Sequence, residues 1–350
     1  MSFERLLQLD DRRAFEATHR YEDLDLFHVR FDELTGQPET EHVLDQMASR
    51  GGRVALIGPS GSGKSSVIAS VLGPLVESLP AEIIPIRIPV AAADAETVTE
   101  PRAFAQHIVR TVARYATETL SQQERAELEA GVADVRRRHG RERTRRWAVG
   151  APRLIADAGF ATEAKSGAEE IEQRLGSGEV VGELARMVAI FRSHQRVPFL
   201  VIDDSDRWLR IGQTDLSQVA EAFFTRNVQM LAKELDCGFV VAVHDHYLDL
   251  GGYADTQALL STEIRIPRFE DPGRAIGQIL GRRIELAEVG ASLDELFEPD
   301  AIAELTELYA VAQGIRRVLA TVDRAVQHAC SDNVHPVSRE LVRTARADLT

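Results

Sequence analysis

The chain has 350 residues, 44% of them hydrophobic and 27% charged, enough apolar material for one large core or two modest ones. Its net charge of −14 and pI near 5.3 exclude a surface that coats nucleic acid or anionic membrane indiscriminately and leave room only for a local basic patch. The two cysteines, Cys237 and Cys330, are far apart and without metal-ligand spacing, which excludes a disulfide framework or a zinc site and fits a reducing, cytoplasmic compartment.

In chain order, the N-terminus opens on charged residues with no apolar leader, and no apolar run approaches the length of a membrane span. Arg53–Ile57 reads as a short buried strand. Gly58-Pro59-Ser60-Gly61-Ser62-Gly63-Lys64-Ser65 follows, and Lys64 to Leu79 is expected to be a helix ending before Pro80. Ile83 to Ile88 is a second strand, at a sheet edge because Pro85 cannot donate to a ladder. Pro101 to Tyr115 is helical, with Phe104, Ile108, Val109 and Val112 on one face. Residues 119–179 fit neither element and form an insertion. Pro198 to Ile202 is a third strand, ending at Asp203-Asp204. Leu216, Val219, Phe223, Phe224, Val228, Leu231 and Leu235 are spaced as one helix. Gly238 to Val243 and Glu263 to Ile266 complete five strands. Strands separated by helices imply a mainly parallel sheet covered on both faces. From Asp271 onward the pattern is helical, with Val318, Leu319, Val322, Ala325, Val326 and Ala329 as one stripe.

Gly-x-x-x-x-Gly-Lys-Ser between a strand and a helix is a Walker A loop: glycine backbones approach an anion closely, and the helix presents its positive N-terminus to phosphates. Gly58 to Gly63 would cradle the phosphates, with Ser66 in the helix's first turn. Lys64 would reach the β- and γ-phosphates, and Ser65 would ligate Mg²⁺. The strand running into Asp203-Asp204 reads as Walker B: Asp203 at its carboxyl end would hold the magnesium, and Asp204 would polarise the attacking water. Two solvated aspartates at a strand end are the plain alternative.

Leu34-Thr35-Gly36-Gln37-Pro38-Glu39 before a helix, the two Walker motifs, a fourth strand ending in polar residues and Gly314-Ile315-Arg316-Arg317 resemble an AAA+ ATPase. The order is most similar to the origin-recognition-like and STAND-like members, including bacterial relatives used in replication, transposition or conflict systems. The resemblance implies an α/β P-loop NTPase with a five-stranded sheet and a small helical lid. It divides the chain into an N-terminal helical segment (1–50), the nucleotide-binding core (51–268, carrying the insertion) and the lid (269–350). It implies that Gly36 and Gln37 lie near the adenine, that His244 or Asp245 is the sensor 1 position, and that Arg317 is the sensor 2 arginine. It implies ATP and Mg²⁺ as ligands and ATP hydrolysis as the activity.

Two departures set expectations. Asp204 is one methylene shorter than the family's usual glutamate, which suits a slow switch more than a fast motor. The origin-recognition-like proteins usually continue into a winged-helix domain, whereas this sequence stops at Thr350, so autonomous origin recognition is not expected. An arginine finger from a neighbouring subunit can contribute about 10³ to 10⁵ in rate, and Arg226 stands at a suitable place for one in a homo-oligomer. The run Arg136 to Arg146, with Trp147 beside it, either contacts DNA phosphates or pairs with the acidic flank Glu124, Glu127, Glu129 and Asp134. The sequence therefore predicts a nucleotide-dependent switch acting with a protein or DNA partner. A scaffold with little hydrolysis is the first alternative, and a P-loop kinase the second, against which Asp203-Asp204 and the helical tail count.

Overall fold

A computed structural model describes residues 2–17, 21–36, 40–77, 83–90, 93, 95–119, 126, 177–205, 215–312 and 314–349. The elements in order are α1 (Ser2–Asp11), a 3₁₀ turn (Tyr21–Asp23), α2 (Phe31–Thr35), α3 (Thr40–Ser49), β1 (Arg53–Ile57), α4 (Lys64–Glu77) and β2 (Ile83–Pro89). There follow α5 (Ala95–Thr99), α6 (Pro101–Thr119), α7 (Ser177–Ser193), β3 (Val197–Asp203), α8 (Asp215–Ala222), a π-helical turn (Phe223–Val228), α9 (Gln229–Glu234) and β4 (Gly238–Val243). The chain then passes through α10 (Gly251–Gln257) and β5 (Thr262–Arg265) into α11 (Pro272–Leu286), α12 (Leu293–Leu296), α13 (Pro299–Ala312), α14 (Ile315–Asp332) and α15 (Arg339–Asp348).

The five strands form one parallel sheet in the order β2-β3-β4-β1-β5. β2 is at the edge, the position in a sheet where proline is tolerated. The strand period of two sorts the sheet's side chains onto its two faces. Val54, Leu56, Val201, Val240 and Ala242 join one apolar cluster, and Ala55, Ile57, Leu200, Ile202, Val241 and Val243 join the other. The second cluster is closed by α6, α7 and the α8–α9 stretch, through Phe104, Ile108, Leu184, Phe223 and Leu231. The first runs without a break from the sheet through Ile266 and Phe269 into the C-terminal helices, where the whole stripe from Val318 to Ala329 is buried, and it takes in Leu6, Leu9 and Phe15 near the N-terminus.

One element differs from the sequence expectation. The stretch expected as one α-helix from Leu216 to Leu235 contains a π-turn, because Phe223 and Val228, five residues apart, both face the core, while Asn227 Nδ2 reaches the Val98 carbonyl at 2.6 Å. α4 carries Pro74 inside its last turns and is described only to Glu77. The basic run Arg136 to Arg146 and Trp147 lie outside the described residues, as does Gln37.

Candidate functional site

β1, β4 and β3 lie side by side, and their carboxyl ends bring the glycine loop after β1 and Asp203-Asp204 together. Gly58 N–H donates to the Val243 carbonyl at 3.1 Å, tying the start of the loop to the end of β4. Gly61 (φ 75°) and Gly63 (φ 101°) are left-handed, a conformation that favours glycine and that turns successive amides toward one concavity. Lys64 opens α4 and is buried; its Nζ donates to the carbonyls of Gly58 at 2.8 Å and Pro59 at 3.0 Å, so the ammonium rests across the base of its own loop. Ser60 and Ser62 are half-buried, and Ser62 Oγ is enclosed with no hydrogen-bond partner.

Asp203 ends β3, fully enclosed, and hydrogen-bonds the Ser65 hydroxyl. Its Oδ1 accepts the Asp204 N–H at 2.7 Å, while Oδ2 is buried with no partner. Burial, and then the charge of Asp204, push the Asp203 carboxyl above its usual range, against the opposing pull of Ser65, the Asp204 amide and Arg87. Among the described residues no three His, Cys, Asp or Glu side chains converge as a metal cage. The unpartnered carboxylate oxygen beside a serine hydroxyl instead fits Mg²⁺, which is held by one or two protein oxygens plus substrate phosphates.

Asp204 adopts φ 65°, a left-handed backbone uncommon for a residue with a Cβ. Its Oδ2 lies 3.0 Å from Nη2 of Arg87 on β2, and the Arg87 guanidinium stands 4.1 Å from the centre of the Tyr21 ring. Neither Arg87 nor Tyr21 figures in the sequence expectations. The alternation of β2 marks Arg87 as outward-facing, but only the pairing of β2 with β3 brings it to Asp204.

Ser66 turns its hydroxyl away from the loop concavity, to Nδ1 of His28 at 2.9 Å, and Nε2 of His28 lies 2.9 Å from Glu41 Oε1. Glu41 Oε1 also accepts the Phe31 N–H at 2.8 Å. Burial alone would raise the Glu41 carboxyl, but the bonds from His28 and Phe31 outweigh it and hold it below the usual carboxylate range. The network fastens the segment before α3 to the first turn of α4. Gly36 caps α2 in a left-handed conformation (φ 71°) and is exposed.

The C-terminal helices meet the loop directly. Arg316 N–H, in the first turn of α14, approaches the Gly61 carbonyl at 3.4 Å. A Cβ on Gly61 would stand 2.7 Å from Arg316 Cβ, and one on Gly314 would stand 2.7 Å from the Ser60 carbonyl oxygen. Arg316 therefore makes the backbone contact, and Arg317 follows with an exposed side chain. Pro59, Ser62, Ile266, Arg268, Phe269 and Tyr309 line a small crevice of mixed polarity between the loop and the C-terminal helices, with Phe269 stacked on Tyr309 at 5.0 Å and on Phe31 at 6.1 Å.

His244 follows β4, which lies between β1 and β3; it is buried, stacks on His246 at 5.0 Å, and its Nδ1 accepts the His246 N–H at 3.2 Å. Asp245 begins the next 3₁₀ turn. Arg226, on the π-turn, is half-exposed and ion-pairs Glu100 of its own chain at 2.7 Å.

A family profile described as AAA ATPase domain matches residues 38–230, more than half of the chain. No curated protein matches. Among solved structures, the chain is similar to the ORC2 protein of Aeropyrum pernix in its ADP form, at 15% identity and a TM-score of 0.52, covering 96% of this chain and 72% of that one. The same protein as ADPNP-ADP complexes matches at 15% identity and a TM-score of 0.48, covering 88% of this chain and 66% of that one. Cdc6p of Pyrobaculum aerophilum matches at 16% identity and a TM-score of 0.47, over 94% of this chain and 67% of that one. The chain thus spans about two thirds of the length of these neighbours, and at 15% identity the likeness to the ADP form bears on the fold alone. With an α/β P-loop sheet, a helical C-terminal region and a profile match across residues 38–230, the chain belongs to the AAA ATPase domain family.

Proposed function

We propose that this protein is an ATP-binding switch that hydrolyses ATP slowly and uses its lid to report the state of the nucleotide. The observation that carries the reading is the contact of Gly314 and Arg316 with Ser60 and Gly61: anything that moves the phosphate loop must move the lid. The ADP and ADPNP-ADP complexes of the Aeropyrum pernix ORC2 protein support the choice of ligand.

In this reading the amides of Gly58 to Gly63 cradle the phosphates at the N-terminus of α4. Lys64 exchanges its two carbonyl acceptors for β- and γ-phosphate oxygens. Ser65 and Asp203 would hold Mg²⁺, which supplies charge neutralisation to the phosphate chain. Asp204 accepts the proton of the attacking water. His244 is proposed as the sensor 1 residue, Arg317 as the lid arginine that reaches the γ-phosphate, and Gly36 and Gln37 as the residues beside the base. Arg226 would act as a finger in a neighbouring subunit only after releasing Glu100. The partner is proposed to be a protein or DNA, met in a homo-oligomer in a reducing, aqueous compartment. Among the described residues no helix is long and apolar enough to cross a membrane.

The pairing of Asp204 with Arg87 favours a second reading, a nucleotide-binding scaffold whose hydrolysis is close to nil. The test is particle mass with and without Mg-ATP, repeated with double-stranded DNA at low and moderate salt, alongside steady-state phosphate release. Assembly and turnover that depend on ATP support the switch. Tight ATP binding with background turnover favours the scaffold, and no nucleotide effect on mass or lid rejects both.

A further inference from the structure

The described residues between α1 and α2, 12–17 and 21–30, carry anchors of two kinds. On the lid side, Arg283 Nη1 of α11 donates to the carbonyls of Ala14 and Glu16, each at 3.0 Å, and its guanidinium lies 5.0 Å from the centre of the Phe27 ring. Arg282 Nε donates to the Leu26 carbonyl at 3.3 Å. On the core side, His28 holds Ser66 and the 3₁₀ turn at Tyr21–Asp23 packs on α4. These residues are thus tied both to the C-terminal helices and to the core, and Tyr21 lies over Arg87 of β2.

That place is the face of the Arg87 guanidinium, 4.1 Å from the ring centre. The same guanidinium meets Asp204 Oδ2 at 3.0 Å. Arg87 and Asp204 are each about one third exposed (38% and 31% of the side chain), a setting in which an ion pair alone is weak and a long side chain samples several rotamers. A ring stacked beneath a guanidinium adds the attraction of its quadrupole and removes that freedom. Arg87 thus occupies one of the two Asp204 carboxylate oxygens that could take a proton from water.

We infer that Tyr21 is a positioning residue for Asp204, acting through Arg87: by fixing the guanidinium across the carboxylate it keeps the acid paired and turnover low. The inference rests on Asp204 being the water-activating group of the proposed function. It makes the N-terminal segment a brake on hydrolysis, anchored to the lid helices.

The test is steady-state hydrolysis of Mg-ATP by the full chain, comparing Tyr21→Leu, Tyr21→Phe, Arg87→Gln, the Tyr21→Leu/Arg87→Gln double variant and Asp204→Asn. Tyr21→Leu and Arg87→Gln are expected each to raise kcat by about three- to tenfold with KM unchanged, the size expected for loss of a partly exposed pair. Tyr21→Phe, which keeps the ring, restores the wild-type kcat, and the double variant exceeds Arg87→Gln by nothing. A wild-type kcat in Tyr21→Leu, a change confined to KM, or additivity in the double variant overturns the inference. Arg87→Gln tests the link from the other side, so an unchanged kcat there overturns it however Tyr21→Leu folds. Asp204→Asn separates the two readings: persistent turnover removes Asp204 from the mechanism, whereas lost turnover beside an inert Tyr21→Leu overturns the role of Tyr21 alone.

Discussion

Gly314 sits so close to Ser60 that a methyl group on Gly314 would stand 2.7 Å from the Ser60 carbonyl oxygen, and the backbone of the next turn touches Gly61. Its φ of −143° strains no residue type, so the requirement for glycine is one of space. Gly314→Ala should push the lid off the loop at an overpacking cost of about 1–3 kcal/mol. Dissociation of a fluorescent ADP is expected to accelerate about tenfold, and an unchanged rate would show that the lid does not close on this contact.

Lys64→Ala removes the ammonium that now rests on Gly58 and Pro59, and should abolish nucleotide binding in calorimetry. Asp204→Ala should keep binding and stop turnover. Equal ATPase rates in both variants and the wild type would reject the assigned chemistry.

Asp203 is enclosed with one oxygen unpartnered and its carboxyl raised by burial and by Asp204, so its ionised form costs stability at neutral pH. Asp203→Asn should raise the nucleotide-free melting temperature, by an amount corresponding to roughly 1–3 kcal/mol for relief of a buried unpaired group, and should abolish Mg²⁺-dependent hydrolysis. A lower melting temperature would indicate that the charge is compensated.

Glu41 shows the opposite sign. Its carboxyl is held below the usual value by His28 and Phe31, so its contribution is present above the ordinary carboxylate range and is lost as pH falls through the lower folded value. Melting curves between pH 6 and pH 2 should show a shallower acid limb in Glu41→Gln than in the wild type. The neutral-pH cost of that substitution is expected to be about 1–3 kcal/mol, typical of a broken charge-assisted hydrogen bond. Parallel acid limbs would refute it.

Burial of the Cys237 thiol pushes it up to about 12 and that of Cys330 up to about 11, so neither is a thiolate at neutral pH. An alkylating reagent at pH 7.5 should label the folded protein at least tenfold more slowly than the unfolded chain. Rapid labelling of Cys237 would mean that β4 opens.

Much of the fold was legible because strand and helix periods are local properties. β1 and β4 are found over the residues expected, β2 and β3 differ only at their ends, and Pro85 announced the edge strand. β5 is found one residue earlier than expected, with the Ile266 N–H still bonded to the Ile57 carbonyl at 2.8 Å. The π-turn escaped because five-residue spacing of Phe223 and Val228 is invisible in a stretch apolar enough to satisfy an ordinary helix.

The sequence by itself determined the chemistry on offer: a glycine loop that can hold phosphates, a lysine and serine at its end, and two aspartates closing a buried strand, because each of these is encoded within a few adjacent residues. Only the tertiary structure decided what those groups touch. Arg87 is 117 residues from Asp204 in sequence, and Gly314 lies some 250 residues beyond Ser60. Pairing of β2 with β3 makes the first contact, and docking of the C-terminal helices on a shared apolar core makes the second. Contacts between distant segments depend on how whole elements pack, and no local pattern of residue types carries that information.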